Sequence, residues 1–120
     1  MRYVDGFLLP VPTKNLELYR RIARKAGKIW REHGAIEYRE CAGDDLDVKF
    51  GVSFKPTIKL KPDETVVFLW IVFKSRADRD RVNAKVEKDP RIRNMIKKGQ
   101  EMPFDVKRMV YGGFKVLVDA

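Results

Sequence analysis

Residues 102–113 hold the densest group of side chains in this 120-residue sequence that could meet a ligand: Met102, Phe104, Asp105, Arg108, Tyr111, Gly112 and Gly113. A tyrosine hydroxyl at 111 donates or accepts a hydrogen bond, and a guanidinium at 108 anchors a carboxylate or phosphate. Two glycines inside a strand weaken it unless a bulge or the close approach of another group is wanted. They open space for a ligand, or for Trp30 or Trp70 from a neighbouring layer. Met102, Pro103 and Phe104 form an apolar knuckle in a loop that should otherwise be polar. In one reading it is a lid or wall over a pocket between sheet and helices. In the other, Phe104 docks into a partner subunit and Asp105 pairs with Arg108 to hold the loop. Asp5 adds a carboxylate inside an apolar strand, and a buried carboxylate must be paired or neutralised. Arg108 is its expected partner if the first and last strands are neighbours. Trp70 reads as a core residue or, alternatively, a substrate platform.

Other reactive side chains are sparse. His33 is the only histidine, so one chain cannot build a His-rich metal cluster, a Cys–His pair or a triad with a His base. Its place beside Gly34 suits an imidazolium at a helix C-terminus. Cys41 is the only cysteine, which rules out an internal disulfide and points to a reducing compartment. Its acidic neighbours disfavour a thiolate, so packing is its expected role. Glu40, Asp44, Asp45 and Asp47 lack the spacing of a calcium loop and read as a solvated turn. No metal and no cofactor is expected.

The elements that must position these residues follow from periodicity. Residues 3–11 read as a strand ending at Pro10 and Pro12. Thr13 is then placed to cap a helix over 14–33, on which Leu16, Tyr19, Ala23, Ala26 and Trp30 recur at helical spacing and Gly34 is the stop. A short strand is expected over 35–42 and an extra, one-sided strand over 52–60. Residues 65–73 (TVVFLWIVF) are apolar in both alternating sets and predict a strand covered on both faces. Ser75 or Asp78 opens a second helix to about 88, Asp89-Pro90 opens a short helix to Gly99, and a last strand runs over about 108–118. This order makes an α+β, ferredoxin-like βαββαβ sandwich with an extra strand, one domain over residues 1–120. Helices on one sheet face leave the other bare, and its cheapest cover is a second copy, which predicts a homodimer.

The formal charge is +9, from 26 Lys and Arg against 17 Asp and Glu. Residues 14–33 carry seven cations and two anions, and residues 74–98 carry ten and four, so the excess sits on the helical segments. Arg20, Arg24, Lys28 and Arg31 face away from the apolar stripe and form the candidate surface for RNA or another polyanion. No aromatic-rich RNA-reading strand motif, zinc finger or Gly-rich clamp accompanies them, so nucleic-acid binding has weak support. The N-terminal MRYVDGF lacks the apolar core of a signal peptide, and the longest apolar run falls far short of the ~20 residues that span a bilayer. A cytoplasmic location and no membrane partner are expected.

The opening YVDGF, Glu40-Cys41 followed by Asp44-Asp45, the Asp89-Pro90-Arg91 step and EMPFDVKRMVYGGF over 101–114 together resemble the bacterial YbaA-like family. The resemblance covers essentially the whole chain. It implies a ferredoxin-like domain of the dimeric α/β-barrel superfamily and no established activity, because the family itself lacks one; the superfamily hosts monooxygenases, isomerases and haem enzymes, and fold alone does not choose among them. Haem enzymes of the superfamily place their axial histidine on a different element from His33. The leading expectation is a homodimer with a pocket between sheet and helices for a small anionic or aromatic molecule, with enzyme activity left open. A polyanion-binding protein is the alternative from another class, and a scaffold without a pocket the third.

Overall fold

A computed structural model describes residues 1–95 and 102–120 of the chain. The expected end of the short helix at Gly99 and the loop residues Gln100 and Glu101 lie outside the described residues. Four strands, β1 (Tyr3–Pro12), β2 (Glu37–Ala42), β3 (Glu64–Phe73) and β4 (Val110–Lys115), form one antiparallel sheet in the order β2-β3-β1-β4. Two long helices, α1 (Leu16–His33) and α3 (Arg76–Lys88), follow β1 and β3, with a single turn α2 (Phe54–Thr57) and a short α4 (Pro90–Met95).

Alternation along the strands decides what each sheet face meets. Phe7, Leu9 and Val11 of β1 and Val67, Leu69, Ile71 and Phe73 of β3 point to the helices, where they pack on Tyr19, Ala23 and Ile29 of α1 and Val82 and Val86 of α3. Leu9, Val11, Ile71, Phe73, Val82 and Val86 lose nearly all their exposure, a burial of roughly 1.5–3 kcal/mol for each large side chain. Among the described residues no long helix covers the opposite sheet face, which meets only Phe54 of α2 across a cavity, and Phe68, Val110 and Phe114 remain 46%, 52% and 61% exposed there. Among the described residues no helix is long and apolar enough to cross a membrane.

Local signals set the helix ends. Ser75 caps α3 by accepting the Asp78 N–H at 3.1 Å, and the Asp89 carboxylate accepts the Arg91 N–H at 2.9 Å at the start of α4. Gly34 stops α1 at φ 123°, a conformation that favours glycine. Thr13 does not cap α1: it opens a 3-10 turn, Thr13–Asn15, from which the helix continues at Leu16.

The extra strand expected over 52–60 is not there. That segment is a loop containing α2, in which Ser53 accepts the Lys55 N–H at 3.2 Å. Pro56 has no N–H to give a ladder, and Val52 and Phe54 stay exposed, so their alternation has no layer to read against. The last strand is also shorter than expected, ending at Lys115 rather than near Val118.

Candidate functional site

One hollow stands out, of about 720 Å³, between α1 and the edge strand β2. Its origin lies in α1. Leu16, Arg20, Ala23, Arg24, Gly27, Lys28 and Arg31 recur every three or four residues and so share one face, directed at β2. At the centre of that face Ala23 and Gly27 are too small to fill the space beneath them. A glycine within a helix costs about 1 kcal/mol relative to alanine. Here it admits the Tyr38 ring, which would lie 2.7 Å from a Cβ at position 27.

Tyr38 and Glu40 are two residues apart on β2 and therefore face the helix side together. Tyr19 of α1 donates its hydroxyl to Glu40 Oε1, and Tyr38 donates to Glu40 Oε2 at 2.5 Å. Burial pushes the Glu40 carboxyl above the ordinary carboxylate range, with the two phenol hydrogen bonds opposing. Burial, reinforced by the Glu40 charge, pushes both phenols well above the ordinary tyrosine range. Around this Tyr19–Glu40–Tyr38 wall stand four of the six cations of α1, Arg20, Arg24, Lys28 and Arg31. Arg20 is paired with Glu17 at 2.8 Å and Arg31 donates to the Ile36 carbonyl at 2.6 Å. Arg24 and Lys28 have no acidic partner among the described residues. A carboxylate or phosphate entering the hollow would therefore meet these cations at the rim, beside a Glu32 carboxylate already paired with Arg91 at 2.7 Å, and hydroxyls with the Glu40 carboxyl inside.

The residues singled out between 102 and 113 do not converge on this hollow; Tyr111 and Gly112 line a second cavity, of about 430 Å³, together with Trp70, whereas Met102, Phe104, Asp105, Arg108 and Gly113 do not line it. Phe104 docks within its own chain, edge to face on Tyr19 with ring centroids 5.5 Å apart, and Asn15 donates to the Pro103 carbonyl at 3.0 Å. The knuckle thus braces the back of Tyr19. Met102 is half-buried beside it. Asp105 does not pair with the Arg108 side chain; its carboxylate accepts the Lys107 N–H at 3.0 Å and caps the turn Val106–Arg108.

Arg108 does not reach Asp5. It forms a two-pronged pair with Glu64, at 2.6 and 3.0 Å, and donates to the Lys59 carbonyl at 2.9 Å, because its position before β4 lies at the far end of β1 from Asp5. The partner of Asp5 is Arg79 of α3, at 2.7 Å, with Asn83 one turn further on at 3.2 Å. Burial works against the Arg79 charge, yet its hydrogen bonds to Asp80 and Asp5 hold the proton more firmly than usual. Arg79 also donates to the Tyr111 hydroxyl at 3.0 Å, and Tyr111 stacks on Phe7 at 4.7 Å.

The two glycines face opposite ways. Gly113 lies under the Tyr3 ring, whose atoms a Cβ there would overlap, and Gly112 faces the open side, where Phe114 comes within 3.6 Å of a would-be Cβ. Neither Trp30 nor Trp70 uses that space. Trp70 lies on the open face, edge to face with Phe68 at 5.3 Å and donating to Glu37 at 3.1 Å, and it lines the second, apolar cavity.

His33 sits at the end of α1 as expected, 2.8 Å from Asp89. Cys41 is exposed at the sheet edge, so a packing role does not hold for it. Among the described residues no three His, Cys, Asp or Glu side chains cluster closely enough to hold a metal ion. The residues missed in the sequence are Gly27, Tyr19, Tyr38 and Glu40. Gly27 inside a long helix, and the alternation of Tyr38 with Glu40, were the available signals.

Comparison with known proteins places the chain. The family described as Protein of unknown function (DUF1428) matches residues 2–106. The chain belongs to this family. DUF1428 relatives named Uncharacterized protein YbaA, from Escherichia coli (strain K12) and Shigella flexneri, are 40% identical over 119 residues, 99% of this chain and 99% of theirs. The DUF1428 fold is also similar to solved structures. A dimeric ferredoxin-like protein from an uncultured marine organism has a TM-score of 0.59 at 13% identity, with both chains fully covered. A de novo designed protein, Foldit4, has a TM-score of 0.52 at 10% identity, covering 97% of this chain and 99% of its own. At such identities the likeness concerns fold alone, and it agrees with the ferredoxin-like class.

Proposed function

We propose that this DUF1428 protein folds over residues 1–120 as one ferredoxin-like unit and forms a homodimer. Each chain binds a small anionic organic molecule in the hollow between α1 and β2, with chemistry that needs no added cofactor. The observation that carries the reading is the hollow itself. It has the size of a small-molecule site, roughly 300–1,000 Å³, and combines an apolar floor with a few convergent polar groups and a perturbed carboxyl. Dimerisation is supported by the half-exposed Phe68, Val110 and Phe114 on the uncovered sheet face, and a ferredoxin-like protein of similar fold is described as dimeric.

Calorimetric titration with phenylpyruvate, an aromatic carboxylate, tests the binding. Saturable heat is expected, with affinity at least tenfold weaker after Arg24→Ala combined with Lys28→Ala. Equal affinity in that variant sinks the assignment. The polyanion reading draws on the same cations, Arg20, Arg24, Lys28 and Arg31, which share one face of α1. RNA binding that persists at physiological ionic strength, and falls after charge reversal of that face, would favour it over the small molecule.

A further inference from the structure

We propose that Glu40 is the base of a proton transfer in the hollow between α1 and β2, acting on the carbon beside the carbonyl of a bound 2-oxo acid. This rests on the reading of the hollow as an anion site. The other well-packed carboxylates belong to guanidinium pairs: Asp5 to Arg79, Glu64 to Arg108 and Asp89 to Arg91. Each of these three already has a guanidinium as its counter-ion. Glu40 differs from them. Its hydrogen-bond partners among the described residues are two neutral phenols, Tyr19 and Tyr38, and all three side chains line the cavity. Burial adds base strength to that carboxylate, which suits general-base work near neutral pH.

The substrate class follows from what surrounds the base. The cationic rim takes the carboxylate of the 2-oxo acid, which leaves its carbonyl and adjacent C–H to meet the wall. The C–H bond breaks, its proton passes to a Glu40 oxygen, and the electron pair moves through the new C=C bond onto the carbonyl oxygen as an enolate. A phenol that turns from Glu40 to that oxygen supplies the hydrogen bond that stabilises it. The proton on Glu40 exchanges with solvent, and Glu40 delivers a solvent-derived proton back to the same carbon, or, in a substrate with a C4=C5 double bond, to C5, which moves the double bond to C3=C4. Atoms and electrons balance without an oxidant, reductant or cofactor.

The test uses phenylpyruvate and 2-oxobutyrate in D2O. Proton NMR follows loss of the C3 hydrogens above the buffer rate, while calorimetry follows binding separately. Wild-type protein is expected to bind and to exchange, with a rate that rises with pH through a midpoint above the ordinary carboxylate range. Glu40→Gln should bind within threefold of wild type and exchange at least about a hundredfold more slowly, the scale of a lost general base. Tyr38→Phe should bind and show a smaller loss. Binding by wild type without exchange above buffer overturns the proton transfer and leaves the anion site standing. Exchange by Glu40→Gln at the wild-type rate overturns it equally. Absence of binding by both probes overturns the proposal together with the reading beneath it.

Discussion

Gly27→Ala probes how the hollow is built, because here two ordinary rules conflict. In an exposed helix the change stabilises by about 0.5–1 kcal/mol. At position 27 the new Cβ lies 2.7 and 2.8 Å from two Tyr38 ring carbons, whereas carbon contacts are optimal at roughly 3.5–4.0 Å. The ring must retreat by about 0.8–1.3 Å. Trp30, tilted against it at 6.0 Å, and the hydroxyl bond to Glu40 resist that movement. Overpacking of this kind costs about 1–3 kcal/mol, so the net loss is on the order of 1 kcal/mol. For a chain of this size that lowers Tm by about 4 °C, measurable by calorimetry. In a Tyr38→Ala background the clash is absent, and Gly27→Ala should then raise Tm by a similar amount. A rise in Tm on introducing Gly27→Ala into wild type would refute the claim that Gly27 exists to seat Tyr38.

Three further outcomes follow from the packing. Arg79→Ala leaves the fully buried Asp5 carboxylate without its cation, so urea unfolding should show a loss of about 3–5 kcal/mol; a loss under 1 kcal/mol contradicts the pairing. Arg91 first, then His33, holds the Asp89 carboxyl well below the usual carboxylate range. The carboxyl thus stabilises the fold above its unfolded pKa near 4, and the deficit of Asp89→Asn should be full at pH 7 and shrink as pH falls below ~4. An unchanged deficit at pH 2 argues against it. Phe68→Lys with Phe114→Lys should convert a species of twice the 14.0 kDa chain mass into monomer in sedimentation equilibrium, and an unaltered dimer places the interface elsewhere.

Much of the fold was legible because burial leaves a periodic record. The doubly apolar run in β3, the α1 stripe and the caps at Ser75 and Asp89 each restrict local structure in a way a single chain displays. The false strand over 52–60 arose because alternation alone cannot tell a pleated surface from a loop with exposed apolar residues. The site was harder. Asp5 announced a need for a cation, but spacing along the chain does not say whether a neighbouring strand or the overlying helix supplies it, and Arg79 lies 74 residues away. Glu40 was read with the aspartates that follow it in sequence. The strand instead turns it to the helix side, between Tyr38 and Tyr19, of which only Tyr19 belongs to a stripe that periodicity marks as core. Arg20, Arg24, Lys28 and Arg31 of α1 were visible as a charged face, while the hollow they border depends on Ala23 and Gly27 being small.

The most direct measurement of the anion site is an amide chemical-shift map of the 15N-labelled protein titrated with phenylpyruvate. Shifts concentrated at residues 20–31 of α1 and 38–42 of β2, saturating together and absent after Arg24→Ala with Lys28→Ala, are the result expected. Shifts confined to Val110–Phe114, or none at millimolar phenylpyruvate, contradict it.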